Sequence, residues 1–319
     1  MSPAEPPGAV VGIDVGGTKL LALRLDAGGR VTADPLQASP KDGPGVVEEV
    51  VAAARRLCGP TATGAVGLGI PGLVDGTGRV RFAPNLQGLV DTPLTDAVRE
   101  ALPGWDVWVG NDATAACWAE HERGAARGAD EVLLVTLGTG IGGGIISSGR
   151  LLEGSNRYAG EFGHMVVDPH GPRCPCGKRG CWERFASGSG LGWLGREMAI
   201  AGEAPRLVEL AGGDPEAVRG EHVTTAAAEG DGPAAEIMSR FAWWVALGLA
   251  NLANALDPEL IVVGGGLVAA GEVLMEPTRR AFQELVAAPA LRTNVRIVAA
   301  VLGSQAGAIG AGLLAAARP

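Results

Sequence analysis

The sequence predicts an α/β protein of two domains, and three observations carry that expectation. At 319 residues the chain is longer than most single hydrophobic cores. Apolar runs of strand length alternate with longer helical stretches through both halves, the order that produces sheets covered by helices. A strand, glycine turn and second strand occur near residue 10 and again near residue 132, and a repeat so far apart points to two related domains.

In chain order, VVGIDV (10 to 15) breaks at Gly16-Gly17-Thr18-Lys19 and resumes as LLALRL, which predicts a strand, a tight turn and a strand. A helix is expected at 45 to 58, a strand at 64 to 70, a hairpin around Asp75-Gly76-Thr77-Gly78, a helix near 93 to 102 and a strand at 106 to 110. Asn111-Asp112 then opens a helix to about 125. In VLLVTLGTGIGGGIIS (132 to 147), Thr136-Leu137-Gly138 takes the place of Asp14-Val15-Gly16 in the first hairpin. Farther on, a long helix is expected at 232 to 256, stopped by Asp257-Pro258, then a strand at 260 to 263 running into Gly264-Gly265-Gly266. A helix near 270 to 287, a strand at 295 to 301 and an alanine-rich helix at 304 to 317 complete the pattern.

Composition narrows the function. With 47% hydrophobic residues, 51 glycines and 19% charged residues, the chain reads as compact rather than disordered. A net charge of −9 argues against a nucleic-acid partner, since phosphate contacts need clustered Lys and Arg; the one basic run, Arg173 to Arg184, is short. Residues 1 to 8 show no basic segment followed by an apolar one, and no apolar run reaches membrane-spanning length. A cytoplasmic protein without a membrane partner is expected, and there clustered cysteines point to metal or redox chemistry rather than disulfides.

Two glycine clusters contain G-x-G-x-x-G, at 67 to 72 and at 138 to 143. A dinucleotide site needs those glycines to close a strand and open a helix, whereas here Gly143-Gly144 runs into a further strand and Pro71-Gly72 into a hairpin. No G-x-x-x-x-G-K-[ST] is present, so a P-loop enzyme is not expected either. What remains is a glycine turn between two strands, once per domain, able to offer backbone N–H groups and a Thr hydroxyl to an anion.

Residues 163 to 183, GHMVVDPHGPRCPCGKRGCWE, hold three of the five cysteines and two of the four histidines. Cys174, Cys176 and Cys181 with His164 make a Cys3His set, the composition of a closed tetrahedral zinc site with no open position for a catalytic water. A structural zinc is therefore expected. His170, beside Gly171-Pro172, reads as a solvated loop residue, and Cys58 and Cys117 read as buried helix residues.

The motifs GIDVGGTK (12 to 19), GIPG (69 to 72), Pro84-Asn85, NDA (111 to 113), LGTGIG (137 to 142), GEFGH (160 to 164), CPCG (174 to 177), GCWE (180 to 183) and Gly264-Gly265-Gly266 occur in one order over residues 9 to 312. In this the sequence resembles the ROK family (repressors, unknown reading frames and kinases), most of all its bacterial glucokinases, within the sugar kinase, heat-shock protein and actin superfold. That resemblance implies two related actin-like (ribonuclease H-like) domains with a nucleotide cleft between them. It implies a small domain over 9 to 110, joined by the helix at 304 to 317, and a large domain over 111 to 303 with the zinc loop at 160 to 187.

For the site, the resemblance implies that Asp112 is the catalytic base. It implies that Gly72, Asn85, Asn111, Asp112, Glu161, His164 and Glu183 contact the sugar, with His164 giving one ring nitrogen to zinc. ATP phosphates and magnesium would be met by Asp14, Gly16, Gly17, Thr18, Lys19, Thr136, Gly138, Thr139, Gly140, Gly264, Gly265 and Gly266. From local sequence alone Asn111-Asp112 is equally a helix cap and Lys19 an exposed strand residue. The implied activity is transfer of the γ-phosphoryl group of ATP to the 6-hydroxyl of glucose, giving glucose 6-phosphate, by a homodimer or homotetramer. Fructose, mannose, an N-acylhexosamine, or polyphosphate as donor, stay open, because the loops 86 to 89 and 152 to 158 that shape the pocket follow no rule. A sugar-responsive repressor of the same family would need a winged-helix domain ahead of the first strand, for which residues before Ala9 leave no room.

Overall fold

The computed structural model describes residues 8–26, 28–292 and 295–317. Its strands are β1 (Ala9–Val15), β2 (Lys19–Leu25), β3 (Val31–Ala33), β4 (Gln37–Ala38), β5 (Gly64–Ile70), β6 (Leu73–Val74), β7 (Val80–Phe82), β8 (Trp105–Asn111), β9 (Val132–Leu137), β10 (Ile141–Ser147), β11 (Arg150–Leu151), β12 (Leu260–Gly264) and β13 (Arg296–Ala299). Its helices are α1 (Gly43–Cys58), α2 (Leu94–Ala101), α3 (Asp112–Arg123), α4 (Glu183–Ala186), α5 (Gly188–Ile200), α6 (Pro205–Leu210), α7 (Gly220–Ala228), α8 (Gly232–Leu256), α9 (Glu272–Leu285) and α10 (Ala306–Ala316). Every element expected from the sequence is present. The short strands β3 and β4 carry no separate signal in the sequence, and the helices α4 to α7 fall in the stretch after the cysteine loop that reads as mostly helical.

Local chemistry sets the helix ends. Asp42 caps α1 by accepting from Gly45 N at 2.8 Å, Asn111 caps α3 by accepting from Thr114 N at 2.9 Å, and Asp231 caps α8 by accepting from Ala234 N at 2.9 Å. At its far end α8 stops where Asp257 turns left-handed ahead of Pro258.

The chain forms two compact units. The first takes the described residues up to Gly128, then Gly144–Gly160 and the residues from Val301 on; the second takes Ala129–Gly143 and Glu161–Ala300. This division differs from the expected one in two places: α3 packs on α10 and stays with the first unit, and Gly144–Gly160, expected in the large domain, also falls in the first unit, where Gly144 packs on Cys117 of α3. The backbones of α3 and α10 touch: a Cβ on Gly310 would sit 1.7 Å from the Ala115 carbonyl oxygen.

In the first unit the sheet runs β3-β2-β1-β5-β8, with β4 also on β2. β1 pairs antiparallel with β2 (Ile13↔Ala22) and parallel with β5 (Gly12↔Gly67), and β5 pairs parallel with β8. Val11, Ile13, Leu20, Val66 and Leu68 bury against Val46 and Val50 of α1 and Val98 of α2. On another face Ala65 and Trp108 meet Ala115, Ala311 and Ala315. There α10 lies directly on the strands, since a Cβ on Gly12 would stand 1.9 Å from the Ala308 carbonyl oxygen and one on Gly67 1.8 Å from that of Ala311. The first unit also holds the paired ends of β10 and β11 (Ile146↔Leu151, Ser147↔Arg150) and the small β6–β7 pair.

In the second unit β12 lies between β9 and β13, parallel to both, in a register that sets Gly264 beside Thr136. All five residues of β12 are buried, which is why it reads as an unbroken apolar run. Ile237, Phe241, Val245 and Leu249 of α8 are fully buried and give this unit its helical core.

Candidate active site and metal centre

In the first unit the fold brings a pair of carboxylates together. Asp14 stands near the end of β1 and Asp112 opens α3. Burial, and after it the charge of Asp112, raises the Asp14 pKa to about 7. Burial likewise raises that of Asp112, against the backbone N–H of Ala113, which donates to Asp112 Oδ1 at 2.8 Å. α10 closes one side: a Cβ on Gly307 would lie 3.0 Å from Asp14 Oδ2. Asn111, while capping α3, donates through Nδ2 to the Gly72 carbonyl at 3.1 Å. Gly72 holds φ +145°, with its missing Cβ aimed 2.0 Å from the Phe82 carbonyl oxygen, so no side chain fits. The turn after β1 closes by Gly16 N donating to the Lys19 carbonyl at 2.9 Å, and Gly17 packs against Asn85, whose Cβ is 3.1 Å from the Cβ position of Gly17. Asp14, Gly16, Gly17, Gly72, Asn85, Asn111 and Asp112 thus share one neighbourhood, while Thr18 and Lys19 turn exposed side chains outward.

In the second unit the turn between β9 and β10 closes by Gly138 N donating to the Gly140 carbonyl at 3.0 Å, and Thr136 Oγ1 accepts from Gly142 N at 3.2 Å. Gly265, at φ +84°, crosses so near Leu137 that a Cβ would lie 2.4 Å from its carbonyl oxygen, so Gly264-Gly265-Gly266 runs beside this turn. A cavity of about 1240 Å³ opens here. Gly138, Thr139 and Gly266 stand on one side and residues of α5 and α7, among them Arg196, Glu221 and Thr224, on the other.

The cysteine loop is anchored by Trp182, fully buried, whose Nε1 donates to the Trp244 carbonyl at 2.7 Å; Gly248 of α8 leaves the space its ring fills. Cys174 N donates to the Lys178 carbonyl at 2.8 Å, and Gly180, at φ +68°, passes against the Asp168 carbonyl. These turns gather His164, Cys174, Cys176 and Cys181 so that their donor atoms lie within 4.8 Å of one another. Cys176 Sγ is 3.5 Å from Cys181 Sγ, and Cys174 Sγ is 3.8 Å from His164 Nδ1. A zinc tetrahedron with bonds of about 2.3 Å has edges of about 3.8 Å, so the set fits that ion. His170 is exposed and outside the group.

His164 also stands between two carboxylates. Its Nε2 lies 3.8 Å from Glu161 Oε2 and its Nδ1 3.8 Å from Glu183 Oε1. Glu183 in turn accepts from the Cys174 thiol at 3.2 Å, and its Oε2 is 2.8 Å from the Cβ position of Gly140. Glu161, His164 and Glu183 therefore converge beside the second glycine turn.

The sequence matches the ROK family over residues 10–318. The chain belongs to the ROK family. It is 36% identical over 311 residues to the glucokinase of Streptomyces coelicolor, covering 97% of this chain and 98% of that one. It is 35% identical over 309 residues to an N-acetylmannosamine kinase of Escherichia coli, covering 95% and 97%. Among solved structures it is similar to a ROK family glucokinase from Streptomyces griseus in complex with glucose and AMPPNP, at 39% identity and a TM-score of 0.84, covering 97% and 99%.

Several residues of this ROK protein beside these sites carry no signal in the sequence. Lys41 donates through Nζ to the Gly17 carbonyl at the first glycine turn. Arg196, Arg219, Thr224 and Thr225 line the cavity from the segment between residues 188 and 228. Lys41 follows a proline in an irregular loop, Arg196, Thr224 and Thr225 sit on ordinary helices and Arg219 just precedes α7, so only the tertiary fold singles them out. Cys58, expected to be buried, is half-buried at the last position of α1, while Cys117 is buried.

Proposed function

We propose that the protein is an ATP-dependent glucokinase that phosphorylates the 6-hydroxyl of glucose. The observation that carries this reading is the half-buried carboxylate Asp112 opening α3 beside Asp14, in a chain alike over nearly its whole length to ROK glucokinases. Phosphoryl transfer asks a protein for alignment, charge neutralisation and a proton acceptor at the attacking hydroxyl. Asp112 is that acceptor, and burial makes it a better one than an exposed Asp. We assign Gly72, Asn85, Asn111, Glu161, His164 and Glu183 as the residues that contact the sugar, through directional hydrogen bonds to its hydroxyls.

Gly16, Gly17, Thr18 and Lys19, with Thr136, Gly138, Thr139, Gly140, Gly264, Gly265 and Gly266, offer N–H, hydroxyl and ammonium groups to the donor phosphates. Magnesium, for which Asp14 is the residue we assign, neutralises phosphate charge when bound. Zinc, held by His164 Nδ1, Cys174, Cys176 and Cys181, fixes the loop and leaves His164 Nε2 for the sugar. The donor pocket suits a nucleoside, since Ala228, Leu267, Ala269 and Ala270 give it an apolar lining.

The similarity to an N-acetylmannosamine kinase supports one second reading, an N-acylhexosamine acceptor. Coupled phosphorylation assays over glucose, mannose, fructose and N-acetylmannosamine, each with ATP and with polyphosphate, decide: the highest kcat/KM for any pair other than glucose and ATP overturns the proposal. None of the described helices is long and apolar enough to cross a membrane. We assign the protein to the cytoplasm as a homodimer or homotetramer, and sedimentation showing only monomer would refute the assembly.

A further inference from the structure

Glu120 has no place in that chemistry, yet it is fully buried in the last turn of α3. A carboxylate there opposes the helix dipole, and burying its charge is costly without strong partners. Its partners are three backbone N–H groups. Oε2 accepts from Ala125 at 2.8 Å; Oε1 accepts from Val301 at 3.0 Å and from Leu302 at 2.8 Å. Gly124 makes room for this, since a Cβ on it would fall 2.0 Å from Oε2.

The position of those amides along the chain gives them meaning. Ala125 lies just before the chain first leaves the first unit after Gly128, and Val301 and Leu302 are the first two residues after its last return. From Leu302 the chain passes through a single 3-10 turn, Gly303–Gln305, into α10, whose Gly307 abuts Asp14 Oδ2. Glu120 itself rides on the helix that Asp112 opens. One carboxylate therefore joins the helix carrying Asp112 to the segment that delivers the backbone against Asp14.

We propose that Glu120 is a positioning residue that sets Asp112 relative to Asp14 by clipping α3 to the entry of α10. Its effect on rate rests on the reading of Asp112 as the base; the clip itself does not. Glu120→Gln tests both. The amide keeps one accepting oxygen and places an NH2 donor against a backbone N–H, so one of the two attachments is lost at nearly unchanged volume. Amide exchange at Ala125 or at Val301 and Leu302 is expected to rise at least tenfold. At the same time kcat falls about tenfold while the glucose KM stays within threefold. In an Asp112→Asn background, Glu120→Gln is expected to cost less than a further twofold in kcat, because the residue acts through Asp112.

A kcat within twofold of the parent, or losses that multiply in the double variant, overturn the positioning role. If Glu120→Gln does not fold, Glu120→Asp, which keeps the charge but is one methylene too short to reach both sides, carries the same measurements. Should the unaltered protein phosphorylate no sugar, the proposed function fails separately. The clip is then judged by exchange alone, and unchanged exchange at all three amides overturns it.

Discussion

The carboxylate pair of the first unit and the cysteine loop of the second solve one problem, holding polar side chains still, by opposite means. Asp14 and Asp112 stand at the ends of regular elements, β1 and α3, whose backbones α10 touches at Gly12 and Gly310, while Gly307 packs on the Asp14 side chain. The loop from Gly163 to Glu183 has almost no regular structure: a 3-10 turn and isolated bridges at Val166↔Cys181 and Arg173↔Arg179. Its order comes from four converging donor atoms and one buried tryptophan. Close packing needs no ligand but tolerates no added atom; a metal-tied loop tolerates sequence change between its ligands but depends on the ion. The two regions should therefore fail under different insults.

The largest effect tests the first region chemically. Asp112→Asn is expected to lower kcat by about a hundredfold or more with zinc content intact; a near-normal kcat would reduce Asp112 to a helix-opening residue. Next comes the loop. Cys176→Ala should lose its metal and raise the glucose KM about tenfold or more, with binding of an ATP analogue within twofold, because the glycine turns lie outside the loop. Calorimetric titration showing normal glucose affinity in zinc-free protein would end the account of the loop as a scaffold for the sugar site.

Gly310→Ala reverses the pattern. A methyl group aimed at the Ala115 carbonyl must push α10 off α3, at a cost of about 1–3 kcal/mol read by denaturant melting. Zinc content should not change, and a stable variant would mean that the helices separate freely. A pH-dependent effect concerns Asp14. Its pKa rises from 3.8 to about 7 on folding, so between those values the folded state holds a proton that the unfolded chain has released, and stability falls as pH rises through that window. Without added magnesium, Asp14→Asn should therefore raise Tm at pH 8 and leave it nearly unchanged at pH 4. Equal shifts at both pH values would contradict burial as the cause.

The contrast also explains what could be read from the sequence. Gly16-Gly17, Asn111-Asp112 and Gly138 to Gly140 are visible because each does its work within a few consecutive residues. The candidate metal ligands are visible because three of them crowd into eight positions, a spacing that suits a metal site. Glu120 is invisible by the same logic. In ACWAEHER it reads as a solvent-facing helix residue, and its partners are five and about 180 positions away. The cavity wall from Arg196 to Thr225 is equally silent, since amphipathic helices show which face is buried and not what the other face approaches. The boundary of the first unit is silent too, because α3 follows a strand of the first sheet but finds its partner, α10, far along the chain.

That late partner has a consequence for how the protein is made. The grooves over Gly12 and Gly67 are finished when α10 emerges, about 180 residues after α3. At about 5–20 residues per second a ribosome needs some ten to forty seconds to cover that distance. For that time the first sheet has its strands but lacks the helix that seals one face, so the nascent chain carries an open apolar groove while the second unit is still being synthesised. Proteins that shelter such surfaces should meet this chain early, and release it once α10 has docked.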